Sequence, residues 1–139
     1  MQSIASFLSK AMPLALAAIV LSAQPAVASN ASPEAKLAKA VEGRVAGKPV
    51  DCLYLRDIRS SQIIDNTAIL YETAGGTLYV NRPRSGEKSL DSWDVMLTDT
   101  HSPRLCNIDV VHLIDPSTRM QTGFVMLGDF VPYKKPPRH

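Results

Sequence analysis

The chain has 139 residues, of which 15 are Lys or Arg and 13 are Asp or Glu, for a formal net charge of +2. Residues 1–28 hold 19 apolar residues, one Lys and no carboxylate, so the remaining 111 carry +1 and are about 40% apolar. That arithmetic excludes a multidomain protein, an integral membrane protein, a strongly basic nucleic-acid binder and a wholly disordered chain.

In chain order, the first predicted element is a signal peptide over residues 1–28. Lys10 and the amino terminus are its positive region, Ala11 to Ala23 its apolar stretch, and Ala26-Val27-Ala28 its small-x-small cleavage site. Thirteen apolar residues at about 1.5 Å each fall well short of the roughly 30 Å hydrocarbon core, so a retained anchor is the weaker alternative. No Cys precedes Cys52, which excludes lipid attachment at a new amino-terminal cysteine. Cleavage near Ala28 sends the product to the periplasm or beyond and leaves no transmembrane anchor in the mature chain.

Residues 29–48 read as a polar lead-in and a short helix. Ser32 is its cap, Pro33 its first position, Leu37 and Val41 its apolar face, and Gly43 its stop. So short and weakly apolar a helix persists only by docking on something.

Residues 49–133 read as a β-rich domain. Val50 to Leu55 is the first strand. Ile63-Ile64 and Thr67 to Glu72 are split by a bulge or turn at Asp65-Asn66, with Thr67, Ile69 and Tyr71 on one face and Ala68, Leu70 and Glu72 on the other. Ala74-Gly75-Gly76 joins to Thr77 to Asn81 as a hairpin. Trp93, Val95 and Leu97 alternate with Asp94 and Thr98. Cys106 to Ile114 reads as one long strand, with Cys106, Ile108, Val110 and Ile114 on one face and Asn107 and Asp109 opposite, although an apolar run of the length of Val110 to Ile114 can also be helical. Phe124 to Leu127 follows, with Phe130-Val131 as its continuation. Residues 134–139 are a basic, Pro-rich tail. The fold expected is mainly β: a small antiparallel barrel or sandwich of about six short strands with one short amino-terminal helix after the signal peptide.

Cys52 and Cys106 are the only cysteines, 54 positions apart. An even count in an exported chain points to a structural disulfide, with two free thiols or an intermolecular bridge as alternatives. No Cys-x-x-Cys redox pair and no closely spaced metal ligands are present.

Candidate binding residues are Arg56 and Arg59, on either side of Asp57, and Arg82 and Arg84, flanking Pro83. Guanidinium groups on two loops at one end of a sheet would form a patch for an anionic ligand or an acidic protein surface. A solvated turn in which Asp57 pairs with an arginine is the plainer reading of the first loop. Asp91, Asp94 and Asp99 are too sparse for a calcium loop. His101, His112 and His139 are scattered, no phosphate loop or Ser-centred elbow occurs, and no cofactor is implied. Tyr54, Tyr71 and Tyr79 on successive strands read either as a stacking platform or as cross-strand packing pairs.

The stretches Gly43 to Cys52, Arg56 to Gln62, Gly76 to Pro83, and Gly123-Phe124-Val125 to Pro132-Tyr133 resemble a family of small, exported, uncharacterised proteins of Gram-negative alphaproteobacteria. The likeness spans most of residues 43–133. Asn66 stands where relatives tend to carry Gly, and Asn also tolerates a left-handed turn. The resemblance implies export and a single domain and carries no catalytic residue with it. The function expected is a non-enzymatic binding or envelope-associated module. The alternative is a small periplasmic hydrolase using His101 or His112 with a carboxylate.

Overall fold

A computed structural model describes residues 31–138. The signal peptide and cleavage site expected over residues 1–28 and His139 lie outside the described residues. Helix α1 spans Pro33–Ala40 and starts where expected. The Ser32 hydroxyl accepts the Ala35 N–H at 3.2 Å, Pro33 fills the first turn, and Leu37 is its buried residue.

Ten strands follow rather than six: β1 (Val45–Ala46), β2 (Cys52–Tyr54), β3 (Ile58–Ile64), β4 (Ala68–Thr73), β5 (Leu78–Asn81), β6 (Val95–Thr98), β7 (Arg104–Cys106), β8 (Val110–Ile114), β9 (Gln121–Met126) and β10 (Phe130–Lys134). All strand pairing is antiparallel. A five-stranded sheet has the order β1-β10-β5-β4-β3, a three-stranded sheet the order β6-β8-β9, and β2 pairs with β7 in a short ribbon. The sheets do not close into a barrel; the arrangement is a sandwich.

Three layers result. Strand β4 shows why, because both of its faces are apolar. Ile69 and Tyr71 point between the sheets and meet Ile63, Val111, Leu113, Val125 and Phe130 in the larger core. Tyr71 packs edge-on against Phe130, with ring centroids 5.7 Å apart. Ala68 and Leu70 point the other way and are covered, with Ile64 and Val80, by Leu37 of α1. The weak helix thus finds the apolar face it needs.

Turn chemistry sets the connections. Asn66 takes a left-handed φ of 52° in the β3–β4 turn, and Gly76 takes 77° in the β4–β5 hairpin, so the expected turn and hairpin both form. Three other segments differ from the reading of the sequence. Residues 58–62, expected as loop, extend β3 with a bulge between Ile58 and Ser60. The single run from Cys106 to Ile114 is broken, because Asp109 turns the chain back: its carboxylate accepts the Cys106 N–H at 2.6 Å. Phe130 does not continue β9 but enters the other sheet as β10.

Three features fasten the sheets to one another. Cys52 and Cys106 stand directly opposite in the β2–β7 ribbon and form the disulfide. The ribbon joins the segment leaving the large sheet to the segment entering the small one. Asn81, fully buried, donates to the Gly128 carbonyl at 2.6 Å and accepts the Gly128 N–H at 3.0 Å, so one amide satisfies both backbone groups of a buried corner. A 3₁₀ turn at Glu87–Ser89 leans on β9. A side chain at Gly86 (φ 81°) would run into the Phe124 carbonyl, and one at Gly123 would run into Ser89.

Candidate functional site

The register separates the four arginines. On β3, the Ile58–Ser60 end lies level with Thr73 and Glu72 of β4 and with Leu78 of β5. The opposite end aligns Ile63, Ile69 and Asn81. Arg56 and Arg59 therefore sit at one end of the large sheet, and Arg82 and Arg84 follow Asn81 at the other. The shared basic patch expected from the sequence is not formed.

Three of the four arginines are also engaged locally. Arg56 lies 5.1 Å over the Tyr54 ring and 3.7 Å from the Asp57 carboxylate. Arg82 makes a forked pair with Glu34 of α1 at 2.9 and 3.0 Å. That hydrogen bond holds the Glu34 carboxyl below its ordinary range and raises the Arg82 guanidinium. Arg84 donates to the Asn107 carbonyl at 2.9 Å. Arg59 is exposed on β3.

The tyrosines form no platform. Tyr71 and Tyr79 are a cross-strand pair facing inward, and burial pushes the Tyr71 phenol well above its usual range. Tyr54 is exposed on the ribbon. His101 is exposed in the loop after β6.

A cleft of about 530 Å³ gathers Asp65, Asp91, Asp94 and Asp115 beside the exposed Trp93. The carboxylates are already occupied by backbone N–H groups or a hydroxyl. Asp65 accepts the Ser92 N–H at 2.7 Å and Asp91 the Trp93 N–H at 2.9 Å. Asp115 accepts the Thr118 and Ser117 N–H groups at 2.9 and 2.7 Å. Asp94 takes the Thr122 hydroxyl. The bonds to Ser92 lower the Asp65 carboxyl, and those to Thr118 and Ser117 lower Asp115. Among the described residues, no three His, Cys, Asp or Glu side chains gather as metal ligands.

The surface that stands out was not singled out from the sequence. Trp93, Val95 and Leu97 were expected to share a face; Val95 and Leu97 do, but that face is the outer one. The partly buried Met96 packs inward against Leu113, and Trp93 is 83% exposed. On β8 the expected grouping of Val110 with Ile114 holds, and that face too is the outer one. Val111 and Leu113 are fully buried, while Val110, His112 and Ile114 point outward with Val95 and Leu97 of β6 and Phe124 and Met126 of β9.

Leu97, His112 and Phe124 form a cross-strand row through the middle of this outer face. Leu97 is 57% exposed, Val95 55%, Phe124 52% and Met126 44%. No Asp, Glu, Lys or Arg projects from it. His112 is its one titratable group, and the Nδ1 is shielded by neighbouring atoms without a hydrogen-bond partner. The sequence did hold a signal: β6, β8 and β9 are apolar in both parities, as in strands covered on both sides.

Compared with protein-family models, curated proteins and solved structures, the chain matches none.

Proposed function

We propose that the protein is an exported docking domain, delivered by its leader, fastened by the Cys52–Cys106 bridge, and engaging a partner protein through the outer face of β6, β8 and β9. The observation that carries this reading is the row Leu97–His112–Phe124 with Val95 and Met126 beside it, free of Asp, Glu, Lys and Arg and with its four apolar side chains solvent-facing among the described residues. Contiguous apolar patches of several hundred Å² on a small protein mark interaction sites.

Export is supported by the leader and by the disulfide, which persists in oxidising compartments. Among the described residues no helix is long and apolar enough to cross a membrane. A hydrolase would need a histidine held by a carboxylate in a pocket. His112 instead stands among apolar neighbours with its Nδ1 unpartnered, which favours docking over catalysis.

The test is site-specific photo-cross-linking in the native host. A photoreactive residue at Phe124 or Leu97 is expected to capture a discrete protein adduct, and one at Ser60 on the polar β3 border is not. Equal labelling from all three positions, or none from Phe124 and Leu97, would end the proposal. Amino-terminal sequencing of the exported product is expected to begin at Ser29.

A further inference from the structure

We infer that the partner seated on the bare face is a second copy of this chain, the two three-stranded sheets packing outer face to outer face about a two-fold axis. This rests on the docking reading above and names its occupant.

The first ground is charge. An isologous interface brings each patch against itself, so any formal charge near the axis meets its own kind. The outer face carries no Asp, Glu, Lys or Arg; Leu97 and Phe124 flank a central imidazole, with Val95 and Met126 further out. A surface of this composition can pack against its own copy.

The second ground is geometry. The inner face of this same sheet already packs on another sheet, Val111, Leu113 and Val125 lying against Ile63, Ile69 and Tyr71. Its outer face offers a second pleated surface of aliphatic and aromatic side chains, which packs on a like sheet at about 10 Å.

The third ground is area. The face exposes on the order of 500 Å² of apolar surface, or roughly 1,000 Å² between two copies, near the lower bound for a specific interface. That is too little for an obligate dimer and enough for a reversible one. Both cores of the single copy are complete without it.

The experiment is sedimentation velocity on the purified exported product, disulfide intact, from about 1 to 100 µM, a range that brackets a micromolar Kd. The weight-average mass is expected to rise towards twice that of one copy. Phe124→Asp and Leu97→Asp should each weaken association at least tenfold, and Arg59→Asp on β3 should leave it unchanged. Thermal melts confirm that each variant is folded; two positions on different strands guard against one of them failing to fold.

A wild-type chain that stays monomeric throughout overturns the inference, as does a dimer that survives both aspartates. The docking reading fails separately. If the chain is monomeric while a cross-linker at Phe124 captures a different protein, the second copy is wrong and the docking face stands. If neither mass nor adduct changes, both fall.

Discussion

Each sheet of this protein has an outer face built of apolar side chains, and the two are treated differently. On the five-stranded sheet, Ala68, Leu70 and Val80 are roofed by Leu37 of α1 and are almost completely buried. On the three-stranded sheet, Val95, Leu97, Phe124 and Met126 are roofed by nothing among the described residues. The first face is part of the fold. The second can contribute to the stability of the domain only when something else covers it, because apolar area counts only when it leaves water. Apolar composition alone therefore does not separate a core face from a working face; the presence of a covering element does.

That comparison can be broken in several ways. The largest effect is expected at the link between the two regions. Reducing Cys52–Cys106, which spans 54 positions, removes about 4 kcal/mol on the chain-entropy model and should lower the melting midpoint by on the order of 15 °C or more. Melts with and without reductant measure it, and an unchanged midpoint would mean that the ribbon is held by packing of Leu53 and Leu105 alone.

Next comes the direct contrast of the two outer faces. Leu70→Ala under the helix should cost about 3 kcal/mol, while Leu97→Ala on the bare face should stay within about 0.5 kcal/mol for the monomer. Urea titrations of dilute protein compare them. Similar losses at the two positions would show that the second face is buried after all.

Asn81→Ala tests the corner that passes the chain from β9 to β10. It leaves the Gly128 N–H and carbonyl buried and unpaired and should cost about 2 kcal/mol in the same titration, a loss that Ala at the exposed Ser60 would not reproduce.

The smallest effect is at the mouth of the acidic cleft. The Ser92 N–H holds the folded Asp65 carboxyl below 3.8. Its stabilising contribution is therefore complete above the unfolded value and is lost as pH falls through the lowered folded one. Asp65→Asn should lower the melting midpoint by a constant amount above about pH 5 and remove that part of its fall in acid.

Much of the local structure was legible in the sequence because it depends on nearest neighbours. Ser32 and Pro33 start the helix, Asn66 and Gly76 take left-handed turns, and the parity of β4 splits Ile69 and Tyr71 from Ala68 and Leu70, all from side chains acting within a few residues. Which of the two faces of β6 and β8 lies inside is where that logic stops. When both parities of a strand are apolar, alternation names two faces without saying which is inside. The basic patch was lost for a related reason: sequence spacing put Arg59 and Arg82 on loops, but only the antiparallel register set them at opposite ends of one sheet.

By itself, then, the sequence determined a small β-rich domain with a docked helix, its tight turns and its lone disulfide, because each follows from short-range sterics, capping or the uniqueness of one cysteine pair. Which apolar surface is core and which is left exposed was decided by tertiary structure alone. That choice depends on where α1 comes to rest, how the 3₁₀ turn at Glu87–Ser89 meets Gly123, and which face of the small sheet turns to the larger one, contacts between residues far apart in the chain that no local pattern encodes.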